Sequence, residues 1–180
     1  MRSSAKATAY CAILTASALL LSYLESLLPL IPFPGFKLGL ANLAIMLAFF
    51  KLGLSYAFFV SLCRTAISAL LFGSPISLLF SVSGAILSLT VLILYRYALK
   101  KFVGAIGLGV LSAAMHCIGQ TLAASFIYGF YLLISYLPWL LLLSLLTGTL
   151  TGWLLHLILN KLGNAEHSYN DTTTDIHTYR

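Results

Sequence analysis

Predominantly apolar stretches, most of them close to the length of a bilayer span, run through most of this chain. They cover 7–28, 38–51, 54–73, 75–98, 104–133 and 137–160. The breaks between them are short: the Pro-rich 29–36, Lys51-Leu52-Gly53, Gly73-Ser74-Pro75, Lys100-Lys101 with Gly104, and Tyr136-Leu137-Pro138. A span takes about 20 apolar residues at ~1.5 Å rise each, so the pattern predicts about six transmembrane helices. Backbone groups need internal partners in hydrocarbon, and the period-two alternation of a barrel strand is missing. The predicted class is an all-α, polytopic membrane helix bundle. The stretch 7–28 follows Arg2 and Lys6, exceeds a typical signal core, and ends in a proline run without a small-x-small cleavage site. It reads as a retained first helix. Residues 164–180 are polar and read as a disordered cytoplasmic tail, leaving 1–163 as the transmembrane domain.

Composition agrees with this reading: 61% of the 180 residues are hydrophobic and 8% are charged, with mean hydropathy +1.01. Soluble chains carry about 25% charged residues, so a water-exposed surface is excluded. The net charge of +6 does not imply a nucleic-acid partner, because the basic residues stand at helix ends rather than in a stripe. They set orientation instead. With the amino terminus in the cytoplasm, Arg2, Lys6, Lys51, Arg96, Lys100, Lys101 and Lys161 fall on the cytoplasmic side and Lys37 outside, as the positive-inside rule requires. Both termini are then cytoplasmic.

Cys11, Cys63 and Cys117 each lie in apolar surroundings, with no CxxC pair and no histidine at ligand spacing, so neither a disulfide framework nor a metal site is indicated. The chain has no P-loop, no G-x-S-x-G elbow and no DDxxD pair. No catalytic residue and no cofactor are expected, and the chain has no visible means of hydrolysing ATP.

Polar side chains inside predicted spans are costly and mark function by default. Glu25 and Arg64 are two such charges. Arg64, near the middle of the third helix, either meets an anionic substrate group in a cavity or pairs with Glu25. The run Pro34-Gly35-Phe36-Lys37-Leu38-Gly39-Leu40-Ala41-Asn42 leads an outer loop into the second helix. Gly35 and Gly39 permit close backbone approach. Lys37 and Asn42 would then hold a polar ligand at the mouth; otherwise Lys37 snorkels and Asn42 bonds a neighbouring helix. His116 and Gln120 share one helix face at i and i+4, facing a pocket or cross-linking helices. Ala5, Ala9, Ala12 and Ala16 form a small-residue face that lets another helix approach closely, in this chain or in another subunit.

The Pro-Phe-Pro-Gly-Phe-Lys-Leu-Gly-Leu-Ala-Asn run, after an Ala-rich first helix and within short-looped spans, resembles a bacterial family that carries two names, heptaprenyl diphosphate synthase component I and Gx transporter. That family is similar to the substrate-binding S components of energy-coupling-factor (ECF) transporters. The resemblance implies an S-component-like fold in the bacterial inner membrane. It also implies capture of a small solute at 33–42 with His116 and Gln120, and docking through the first-helix alanines on a scaffold membrane subunit served by paired ATPases. The alternative it carries is a non-catalytic accessory component of heptaprenyl diphosphate synthesis. The carboxylates that would gather Mg²⁺ around a diphosphate are missing.

Overall fold

The computed structural model describes residues 4–27, 37 and 39–178, without the side chains of 72, 132, 133 and 163–178. The expected outer loop 29–36, including candidate Gly35, therefore lies outside the described residues, as do the side chains of the expected tail 164–180. Among the described residues there are six α-helices: α1 (Ser4–Leu27), α2 (Asn42–Lys51), α3 (Leu54–Phe72), α4 (Pro75–Leu94), α5 (Ala105–Tyr128) and α6 (Tyr131–Thr178). A π-helical stretch, Tyr95–Leu99, continues α4. Five helices are long and apolar enough to cross a membrane, while α2 is a shorter apolar helix. The chain is a multi-pass helical membrane protein.

Local chemistry explains the boundaries. At α4, Ser74 accepts the Ser77 N–H at 3.1 Å and Pro75 occupies the first turn, a start that needs no amide donor from proline. The expected boundaries of the second, fifth and sixth helices move, and the sixth runs from Tyr131 to Thr178 rather than from 137 to 160. The second helix begins at Asn42 rather than 38, because the chain turns through Gly39 at φ +90°. The fifth ends at Tyr128 rather than 133, where Gly129 adopts φ +100° and its N–H caps the Ser125 carbonyl at 2.9 Å. Pro138 then falls inside α6 instead of starting it. Its missing N–H frees one carbonyl, which a membrane helix tolerates where neighbouring groups compensate.

Glycine sets how closely the later helices pack. A Cβ at Gly109 of α5 would collide with the Gly148 carbonyl of α6, and one at Gly152 would come 2.6 Å from Ile106 Cα. Gly148 and Gly152 form a GxxxG face that meets the small residues of α5. On the other side of α5, a Cβ at Gly119 would come 2.8 Å from Gly84 Cα of α4. These contacts make α4, α5 and α6 the most extensively packed part of the molecule.

Burial is unevenly composed along the bundle axis, and a second, smaller apolar cluster joins Phe80, Cys117, Ala124 and Leu140. One end holds an apolar cluster that includes Cys11, Ile45, Met46, Val60, Leu92, Tyr95, Leu108 and Leu155. Toward the other end lie buried Ser22, Glu25, Lys37, Asn42, Arg64, Ser68, Ser81, His116 and Gln120. Large apolar side chains such as Leu70, Phe102 and Phe126 point outward, as a lipid-facing surface requires.

Replacing Gly152 by Leu is expected to lower the detergent-solubilised melting temperature through overpacking of about 1–3 kcal/mol or more. Gly104→Ala, where a Cβ meets nothing within 4 Å, should leave it nearly unchanged. Thermal unfolding followed by circular dichroism measures both.

Candidate functional site

Three helices each turn a polar stripe to one end of the bundle. On α1, Ser22 and Glu25 are three residues apart on the buried face that also carries Ala18. On α3, Ser61, Arg64, Thr65 and Ser68 follow the i, i+3, i+4, i+7 spacing of a single helix face, and all are buried. On α5, His116 and Gln120 lie one turn apart and are fully buried.

The segment entering α2 joins these stripes. Lys37 donates its backbone N–H to Gln120 Oε1 at 3.1 Å, and its Nζ donates to Ser68 Oγ at 3.4 Å. The chain then turns at Gly39, whose positive φ suits a residue without Cβ. A Cβ there would also crowd Asn42 Nδ2 at 3.1 Å. Beyond the turn, the Leu40 N–H donates to Glu25 Oε1 at 2.6 Å, so a carboxylate sits against the amino-terminal end of α2, where the helix dipole favours negative charge. The sequence candidates Glu25, Lys37, Gly39, Asn42, His116 and Gln120 are thus assembled through direct contacts. Arg64 joins them through α1, its Nη1 donating to Ser22 Oγ at 3.2 Å. Lys37 does not snorkel, because only 5% of its surface is exposed.

Gln120 fixes the state of its neighbour. Its Oε1 receives the Lys37 amide, so its NH₂ faces His116 Nε2 at 2.7 Å and donates to it. His116 Nε2 is then the acceptor, and the neutral ring carries its proton on Nδ1. That edge of the ring is seated on Gly84 of α4, where a Cβ would lie 2.7 Å from Nδ1.

The hydrogen-bond capacity left over is unusual. Glu25 Oε2, both amide atoms of Asn42, Arg64 Nε and Nη2, Ser61 Oγ, Thr65 Oγ1 and His116 Nδ1 are buried without a hydrogen-bond partner among the described residues. Each such group costs about 1–3 kcal/mol, and native proteins leave few of them. Donors predominate, since Arg64 and Asn42 offer N–H groups, while His116 Nδ1 is turned to the Gly84 backbone. An oxyanion such as a carboxylate or phosphate matches that set, and the Arg64 guanidinium supplies charge-assisted bonds. Lys37, outside the spans, has its ammonium pulled down to about 8 by burial and then by the nearby Arg64 charge, with Glu25 opposing.

Reading single residues missed Ser22, Ser61, Thr65, Ser68 and Gly84. The helical spacing of hydroxyls around Arg64 was the available signal. On α1, Ala5, Ala9, Ala12 and Ala16 are exposed, while Ala7, Cys11 and Ala18 turn inward.

The family model described as heptaprenyl diphosphate synthase component I matches residues 14–158, which include the buried polar set from Ser22 to Gln120 but not Ala5, Ala9 or Ala12. No curated protein and no solved structure matches the chain.

Proposed function

We propose that this chain, which belongs to the heptaprenyl diphosphate synthase component I family, is a substrate-binding membrane subunit that captures a small anionic solute. Arg64 carries this reading. It is fully buried in a membrane bundle, and its Nε and Nη2 lack hydrogen-bond partners among the described residues. A buried cation left in that state is expensive, and an oxyanion seated between Arg64, Asn42 and Lys37 relieves the cost. His116 and Gln120 hold the Lys37 backbone in place, and Glu25 anchors the turn into α2. Glu25 Oε2 also offers an acceptor to a hydroxyl or ammonium on the solute.

In this reading the protein lies in a bacterial inner membrane with both termini cytoplasmic. The support is that Lys6, Lys51, Arg96, Lys100 and Lys101 stand at the helix ends opposite Lys37, the distribution expected for cytoplasmic loops. The solute then enters from outside. Transport draws on a scaffold subunit and paired ATPases of the ECF type, with the exposed alanines of α1 as the contact surface. Small side chains permit the close helix approach that such a contact needs.

A second reading has one observation behind it, the description of the family to which the chain belongs. The chain would then be a non-catalytic membrane component of heptaprenyl diphosphate synthesis, its cations meeting a diphosphate. Faster product formation by the catalytic subunit when this chain is added in lipid would favour that role.

Native mass spectrometry of the purified protein should reveal a retained acidic small molecule. Arg64→Gln and Lys37→Gln should each weaken retention roughly tenfold or more with helicity unchanged, and equal retention in both removes these residues from the site. Binding should also weaken as pH rises through about 8. Lys37 is charged below that value and neutral above it, since its ammonium titrates at about 8. Lys37→Gln should flatten the profile when retention is measured across that range. Ala12→Leu with Ala16→Leu should release a scaffold subunit in co-purification while solute binding persists; an undisturbed complex argues against docking there.

A further inference from the structure

Away from this site, at the basic end of the bundle, Phe49, Phe50, Gly53, Tyr95, Arg96 and Lys100 line a cleft of about 230 Å³. Its floor is a rigid aromatic cluster. Phe49 and Phe50 meet edge to face with centroids 5.2 Å apart, and Tyr95 packs on both at 6.2 and 5.7 Å. The π-helical stretch Tyr95–Leu99 forms one wall, with Tyr95 buried in the cluster while Arg96 and Lys100 stay exposed beside it. The cleft lies where α2 and α4 end. There the exposed aromatic rings of Tyr97 and Phe102 suit the depth of the lipid headgroups. The Arg96 guanidinium lies 6.0 Å from the Tyr97 ring centroid, which keeps it at that level.

We infer that this cleft binds a phosphate-bearing headgroup of an anionic membrane lipid. The lining residues include two cations and no acidic side chain, the complement of a phosphodiester. The aromatic walls suit the glycerol and first acyl carbons beneath it. Basic residues next to a membrane surface attract anionic lipid individually, and here two of them share one preformed cavity. The inference is independent of the solute site, since no residue is common to the two.

The test is native mass spectrometry of the full chain released from nanodiscs containing equal phosphatidylglycerol and phosphatidylcholine. The wild type should retain phosphatidylglycerol preferentially. The double variant Arg96→Gln/Lys100→Gln should lose roughly tenfold or more of that retention. The charge-matched double variant Lys101→Gln/Lys161→Gln, outside the cleft, should keep it. Equal loss in both double variants would falsify a localised site and leave only diffuse charge attraction, and equal retention in wild type and cleft variant overturns the proposal as well. If the cleft double variant does not fold, Lys100→Gln alone is compared with Lys101→Gln by the same criterion. Glycerol 3-phosphate is added as a soluble competitor: failure to displace lipid supports a headgroup site, whereas displacement at low millimolar concentration overturns the lipid assignment in favour of a free phosphate ester.

Discussion

Hydrocarbon offers no hydrogen bonds, and nearly every feature of this protein follows from that. Each apolar stretch becomes a helix because a helix satisfies its own backbone. Glycines cluster where helices cross, because helices in lipid gain their attraction from close packing rather than from escaping water. The same rule makes the buried polar set conspicuous. Leaving Arg64 and Asn42 without full partners in such a medium is a burden that a purely structural bundle has no reason to keep.

The polar set is built economically from the fold. Gln120 receives the backbone of the Lys37 segment with one atom and orients His116 with the other, so one amide couples the loop to α5. Glu25 gives the incoming turn an acceptor at the start of α2. That turn in turn depends on Gly39, where the positive φ brings the chain back over the helices. The unpartnered polar groups are therefore held by neighbours whose own geometry is already determined.

The sequence made the membrane class, the approximate helix number and the polar character of the Lys37 to Asn42 run legible, because hydropathy and charge placement act locally. It also picked out residues that meet in space, Glu25, Arg64, His116 and Gln120, since buried polar groups stand out against an apolar background. Other features were harder to see. Gly129 ends α5, but its left-handed conformation leaves no hydropathy signal, and Pro138 attracted the boundary because proline usually breaks helices in water. The hydroxyls beside Arg64 were passed over because serine and threonine are common in membrane helices and reveal a stripe only when spaced on a helix. Gly84 owes its importance to His116 on another helix, which no local pattern reports.

The uneven distribution of close helix crossings has a mechanical consequence. Glycine-locked α4, α5 and α6 form a stiff frame, while α1, α2 and α3 lean on it through fewer contacts. The polar groups are shared between these two halves, with Arg64 and Glu25 on the looser one and His116 and Gln120 on the frame. On the proposed solute-binding reading, admission becomes a question of how far three helices tilt against a more closely packed support. The depth of the apolar seam beneath them decides whether that tilt opens a path to one side of the membrane only.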